Sequence, residues 1–361
     1  CRSTTSAVNA CSRPRTCLPF LIAPHLRRYA AMDYDTYEDL QGLWADLEAA
    51  LALVLTHPAQ VGNFEAKVLQ LDAWLQELLA HDRDAGLYLM YQLASSSHTG
   101  YSAAHALVCA TLSHILADTY HLPPQERDAL VRAALTMNIG MTQLQDQLAL
   151  QRERPSAAQQ EAIRMHPVEG RRLLERMQIT NGLWLDVVTL HHINTPPQLP
   201  LLQQQAAERL ARLLATVDRY AAMINPRRSR AGRSVAESVH VITGPSSQLY
   251  QKAGEALLHS VGMYPPGVFI ALNDETTAVV MRRTAQPHQP QIAKLLDARK
   301  LPFAQPQILL LTQEPQLRIT HSLSSSEVRP FLDTQSLLHL GALMTNSTPS
   351  FQQITQTPGQ A

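Results

Sequence analysis

Apolar residues recur at three- and four-residue steps through most of the stretch from Tyr34 to Ile224, with Pro, Asn or Gly at most junctions between the periodic runs. A stripe of that period is buried by packing helix on helix, so the body of the chain is predicted to be mainly α. Leu40, Leu43, Trp44, Leu47, Leu51 and Leu55 form the first such face. Further helices are expected over 64–80, 85–93, 101–120, 125–137, 157–166, 168–177, 183–192 and 203–224. Pro167 is expected to divide two of them, because proline lacks the N–H that a helix interior needs. Ser156 followed three residues later by Gln159 has the form of a capping box and marks a helix start.

After Gly262 the pattern changes. Val268, Ile270 and Leu272 alternate with their neighbours, Asn273-Asp274-Glu275 offers a turn, and 277–281 resumes a β-prone run. With 308–311 and 317–319 these runs predict a small β module. The stretch 345–361 is rich in Ser, Thr, Gln and Pro and has little to bury, which predicts disorder.

The charge balance, with Lys plus Arg and Asp plus Glu each numbering 30 in 361 residues, gives no electrostatic reason for a nucleic-acid partner, and neither DNA nor RNA is expected. No apolar run approaches the roughly 20 residues of a membrane span. Three of four Cys fall in the first seventeen residues and only Cys109 lies in the body, so no disulfide framework is suggested and a cytoplasmic location is expected. Residues 1–31 hold five Arg, no Lys and no acidic residue, and acidic side chains begin directly after Met32. A targeting presequence has that composition. The favoured expectation is a leader over 1–32, disordered or not translated, with Met32 as the start.

Fifteen His in a helical chain direct attention to a metal site assembled from several helices. The candidate ligands are His105, His166, His191, His192 and Asp218: neutral imidazole binds Zn, Fe or Mn, and a carboxylate adds the charge that favours a divalent ion. Singly, each is more often a structural or solvated side chain, and the adjacent pair His191-His192 carries more weight. The basic cluster Arg227, Arg228, Arg230 and Arg233 suits bidentate phosphate binding or a solvated face. Arg227 and Arg230 are the candidate substrate-binding residues. Arg152, Arg154, Arg282 and Arg283 are weaker candidates.

The order of these residues resembles the HD-GYP family of cyclic dinucleotide phosphodiesterases over about residues 99–285. His105 matches its first ligand, His166-Pro167-Val168-Glu169-Gly170 its His-Pro-x-x-Gly motif, His191-His192 its His-His-Glu motif and Asp218 its last metal-binding Asp. Arg227 falls where the family has an Arg near the substrate phosphate, and 262–267 resembles the segment that follows the catalytic domain in many members. The departures are as specific. Where the family has His-Asp-Ile-Gly-Lys this chain has Met137-Asn138-Ile139-Gly140-Met141, Ile193 replaces the Glu of His-His-Glu, and Gln198-Leu199-Pro200 replaces Gly-Tyr-Pro. An amide at 138 carries no charge to bridge two cations, a thioether at 137 suits Cu(I) better than Fe, Mn or Zn, and Met141 removes a cation that would meet phosphate.

The resemblance implies an HD-type helical domain over 99–260, with a helical region over 33–98 before it, the β module over 261–320 and a partly disordered tail over 321–361. The expected function is a catalytically impaired signalling or binding module of bacterial cyclic-dinucleotide regulation. Its partner would be a cyclic dinucleotide or a signalling protein, and a homodimer is compatible with it. It would hold no cofactor or one divalent metal (Zn, Fe or Mn) at a remnant His site. Met137, Asn138 and Met141 mark degenerate catalytic positions. The alternatives are an active mononuclear metal-dependent phosphodiesterase and a metal-free protein-interaction module.

Overall fold

The computed structural model describes residues 35–96, 100–192, 199–224, 234–243 and 251–332, together with 337, 340 and 341. The leader and the stretch 345–361 lie outside the described residues, as do Arg227, Arg228, Arg230 and Arg233. Among the described residues eleven helices precede the sheet: α1 (Asp35–Thr56), α2 (Phe64–His81), α3 (Arg83–Ser96), α4 (Tyr101–Thr119), α5 (Pro124–Thr136), α6 (Thr142–Leu150), α7 (Ala157–Arg176), α8 (Gly182–Leu190), α9 (Ala206–Ile224), α10 (Val235–Thr243) and α11 (Gln251–Val261). No described helix is long and apolar enough to cross a membrane.

The centre of the bundle is α4. Every residue from Ser102 to Ala117 is buried, and α1, α3, α5, α6, α9 and α11 all pack on it. Ala103, Ala104, Ala106, Ala110 and Ala117 make this geometry accessible, since methyl-sized side chains let neighbouring helices approach closely from several directions. The Asp146 carboxylate on α6 accepts from the Ser102 backbone N–H at 2.7 Å and its hydroxyl at 3.0 Å, supplying an anion where the first-turn amides of α4 are unsatisfied.

The expected break at Pro167 does not occur: α7 runs through it from Ala157 to Arg176, opened by the Ser156–Gln159 capping box. A proline costs a helix the hydrogen bond to the carbonyl four residues back, here Ile163. That carbonyl is instead within 2.5 Å of the His166 ring Nδ1, which replaces the missing donor.

The sheet has five antiparallel strands in the order β4-β3-β2-β1-β5, from β1 (Phe269–Leu272), β2 (Thr277–Arg282), β3 (Gln291–Leu296), β4 (Pro302–Leu310) and β5 (Ile319–Leu323). Strand β3 is not among the β runs expected from the sequence, and the cause is its burial. Five of its six residues are buried, so the strand lacks the alternation that marks a half-exposed one. The last strand is expected at 317–319, whereas β5 starts at Ile319 and continues through polar Thr320, His321 and Ser322, paired to β1.

Tyr88 of α3 joins the sheet to the helices. It packs with Phe269, Val279, Met281, Ala293 and Leu295, and its hydroxyl donates to the Leu337 carbonyl at 2.8 Å. Arg282 pairs with Asp82, and Arg283 pairs with Asp84 at 2.6 Å. Both arginines, considered above as phosphate ligands, thus hold the sheet to the start of α3.

Candidate metal centre

The described metal-binding candidates fall into two groups. In the first, ring nitrogens of His166, His191 and His192 lie within 4.8 Å of one another. In the second, His105, Cys109 and Asp218 meet the same limit. The sequence had identified every member except Cys109.

Two helices deliver the first group. His166 lies in mid-α7, where the proline that follows it turns its Nδ1 toward the Ile163 carbonyl. His191 is the C-cap of α8, whose start is fixed by the Asn181 side chain accepting from the Trp184 N–H at 3.0 Å. Trp184 is fully buried and donates from Nε1 to Thr136 Oγ1 at 2.9 Å, which fixes α8 against the end of α5. His191 Nδ1 lies 2.7 Å from the Val188 carbonyl. Carbonyl oxygens accept, so Nδ1 carries the proton in both rings and both Nε2 atoms present lone pairs.

Those two Nε2 atoms face each other at 3.1 Å. Two lone pairs at that distance repel unless a proton or cation lies between them. Two nitrogens bound at about 2.0–2.1 Å to one tetrahedral ion stand about 3.3 Å apart, close to what is present. His192 completes the cluster, its ring centroid 4.1 Å from that of His191, and opens it to solvent. Burial lowers the His166 pKa to about 4, against a smaller upward pull from the Ile163 carbonyl. Burial, followed by the charges of His192 and His166, lowers that of His191 to about 3. Both are therefore neutral near pH 7, the state in which imidazole binds a metal.

The second group is built on α4 and α9. His105 and Cys109 are four residues apart on α4 and share a face. Asp218 reaches them from α9, which is tied to α5 by Arg209 and Glu126 at 2.7 Å. His105 Nε2 lies 2.8 Å from Asp218 Oδ1 and 3.6 Å from Cys109 Sγ, and its ring stacks on Tyr101 at 5.5 Å. Burial pushes the Asp218 carboxyl up, but the hydrogen bond and charge of His105, with His191 and His192 further off, outweigh it and hold the group below the usual carboxylate range. Burial, assisted by the Asp218 charge, keeps the Cys109 thiol well above its ordinary range. The His105–Cys109 spacing was legible, but it drew no notice because a lone Cys in a helix packs like a small apolar residue.

The positions expected to be degenerate lie between α5 and α6. Met137 caps α5 and is buried, Asn138 is half-buried, and Ile139–Met141 form a 3-10 turn against α7. Gly140 is required by geometry, since a Cβ there would stand 2.6 Å from the His166 carbonyl oxygen and 2.7 Å from the Gly170 nitrogen. Gly140 is thus the residue that lets the turn lie against α7. The divalent metal implied by the family fits the His166–His191–His192 cluster by its facing lone pairs. It does not fit a two-ion site centred on 137 and 138, where a thioether and a neutral amide supply no anion.

The helical scaffold carries its candidate ligands in the order that the motif resemblance implies. No family model matches the chain. It is 27% identical over 214 residues to the cyclic di-GMP phosphodiesterase PA4108 of Pseudomonas aeruginosa, covering 57% of this chain and 50% of that protein, so it spans about half the length of this curated relative. Among solved structures it is similar to Bd1817, an HDG"Y"P protein from Bdellovibrio bacteriovorus, at 15% identity and a TM-score of 0.48, covering 64% of this chain and 74% of that one. At this modest identity the Pseudomonas match is a similarity, in keeping with the resemblance of the motifs to the HD-GYP family.

Proposed function

We propose that this protein is a signalling module of the HD-GYP kind that recognises a cyclic dinucleotide, holds one divalent ion at His166, His191 and His192, and is impaired as a two-metal phosphodiesterase. The observation that carries the reading is the asymmetry between the facing Nε2 atoms at 3.1 Å and the uncharged pair Met137-Asn138. Two closely spaced cations need a bridging anion, and in-line displacement between two ions depends on both. The ion would be Zn, Fe or Mn, and when bound it would polarise a phosphoryl oxygen at the open side near His192.

The chain's own residues then have separate tasks. The Ile163 and Val188 carbonyls fix the orientation of the His166 and His191 rings, so that Nε2 and not Nδ1 faces the cluster. The dinucleotide preference is supported by the named activity of the Pseudomonas relative, and Arg227 and Arg230 are the proposed phosphate ligands on chemical grounds. A cytoplasmic location is proposed with the same reading.

The second reading, an active mononuclear phosphodiesterase, is favoured by one feature: three His ligands with an open position are the ligand count of catalytic zinc sites. The test combines metal analysis, calorimetry and turnover. The proposal expects one equivalent of transition metal lost on His191→Ala, saturable binding of cyclic di-GMP weakened by Arg227→Ala, and hydrolysis at background. Hydrolysis abolished by His191→Ala establishes the second reading. Neither metal nor nucleotide binding leaves the protein-interaction module.

A further inference from the structure

The two edges of the sheet differ. At one, β5 packs against α10. At the other, no strand lies beyond β4 among the described residues. From this edge we infer that residues 307–310 of β4 are a pairing surface for a second copy of this chain, two β4 strands joining antiparallel about a two-fold axis. The pairing needs neither metal nor nucleotide.

The backbone sets which residues take part. The Leu311 N–H donates to the Pro290 carbonyl at 3.3 Å, in step with the β3–β4 register that puts Leu310 opposite Gln291 and Leu309 opposite Ile292. Inward and outward backbone groups alternate along an antiparallel strand. Leu309 and Gln307 therefore turn their N–H and C=O toward β3, and Leu310 and Ile308 turn theirs outward. Further toward the start of β4 the edge is closed. The register shift between Lys294 and Leu296 throws residues 303–306 out of the ladder, and Pro306 has no N–H to offer.

Three features choose the occupant. Ile308 stands opposite Ala293 of the Tyr88 core, so the apolar layer of the sheet runs on into a side chain that is 37% exposed. A second copy brings an Ile308 and a Leu310 of its own to cover that layer. Residues 301–313 carry no charge, whereas edge strands are commonly guarded by one, Lys above all. The uncharged run is bounded by Arg299 and Lys300 at one end and by Glu314 at the other. Antiparallel pairing directs the basic end of each copy toward the acidic end of the other, and parallel pairing would set like beside like. With Ile308 opposite Leu310 of the partner subunit, and the reverse, the two-fold axis passes between the two Leu309 residues and four backbone hydrogen bonds form. So short a ladder makes a reversible dimer and not a permanent one.

Sedimentation equilibrium of the full chain is the test. The wild type should show a monomer–dimer equilibrium with a dissociation constant of about 10–100 µM. Ile308→Lys brings two cations to the axis and should weaken that equilibrium by about tenfold or more, with circular dichroism unchanged. Leu309→Cys should give a reducible covalent dimer on mild oxidation, because directly opposed residues of a non-hydrogen-bonded pair stand about 4.5 Å apart, within disulfide reach. Thr320→Cys, at an exposed position of β5, should not. If Ile308→Lys does not fold, the cross-link decides. A wild type that stays monomeric up to about 500 µM, an association that survives Ile308→Lys, or a Leu309→Cys that gives no more covalent dimer than Thr320→Cys overturns the surface.

Discussion

Two of the polar clusters in the described helical body are satisfied to different degrees. At the first, Asp72 on α2 accepts from Gln76 at 3.0 Å, from His114 at 3.1 Å and from Arg132 at 3.2 Å, so one buried anion meets an amide and two potential cations. Burial pushes the Asp72 carboxyl up, and the bonds from His114 and Gln76 with the charges of His114 and Arg132 bring it below the usual range. At the second, His166 and His191 are held by backbone carbonyls and aim lone pairs at each other. The first cluster is complete and ties α2, α4 and α5 together. The second is incomplete, and an incomplete buried polar group marks a ligand's place because a purely structural role would have selected a partner for it.

The sharpest way to break that contrast is to remove the anion from the complete cluster. Asp72→Ala leaves Arg132 and His114 without their shared acceptor and is expected to cost about 3 kcal/mol, read as a lowered urea midpoint. If the cost is under about 1 kcal/mol, the cluster is not the structural tie described. Zinc or manganese should act in the opposite direction on the incomplete cluster, adding about 2.7 kcal/mol at a free concentration a hundred times the Kd. His191→Ala should reduce this gain. A thermal shift that is unchanged in that variant would place the ion elsewhere.

Gly140→Ala tests how the scaffold presents His166. The added Cβ meets backbone and not a movable side chain, so about 2 kcal/mol of destabilisation and weaker metal binding are expected together. Metal affinity that stays constant would separate the turn from the site.

A smaller effect is expected in the pH dependence of the metal-free protein. Unfolded His takes up a proton near pH 6.5, whereas folded His166 and His191 resist until about 4 and about 3. The unfolded chain therefore binds more protons across that window, and stability present above pH 6.5 declines as pH falls through it. Asp72 acts lower, its contribution being lost only as pH falls below the ordinary carboxylate range toward its depressed folded value. His191→Ala should flatten the decline between pH 6.5 and 4 and, without metal at neutral pH, should change stability by no more than about 1 kcal/mol, because the lost packing is offset by removal of the facing lone pairs. Urea titrations at several pH values read both quantities.

Much of the scaffold was legible in the chain, and the reasons are local. The stripe from Leu40 to Leu55 lies in α1, the Ser156–Gln159 pair does cap α7, and Ile270 and Leu272 of the alternation after Gly262 lie in β1. Local signals misled where tertiary context outweighed them. Pro167 reads as a break because a sequence shows the donor it lacks and not the imidazole that replaces it. Strand β3 reads as an undistinguished run because burial on both faces removes its period. Arg282 and Arg283 read as free cations, and Asp82 and Asp84, 200 positions away in the case of the first pair, are their partners.

The sequence by itself determined the helical class, the order in which His105, His166, His191-His192 and Asp218 occur, and the absence of charge at 137 and 138, because periodicity and residue type are properties of the chain alone. Only the tertiary structure decided that the candidate ligands divide into two groups, that Cys109 belongs to one of them, and which ring nitrogen His166 and His191 present. Period tells which side of a helix faces inward; which inward-facing groups meet depends on how several helices cross, and neighbouring residues along the chain do not fix that.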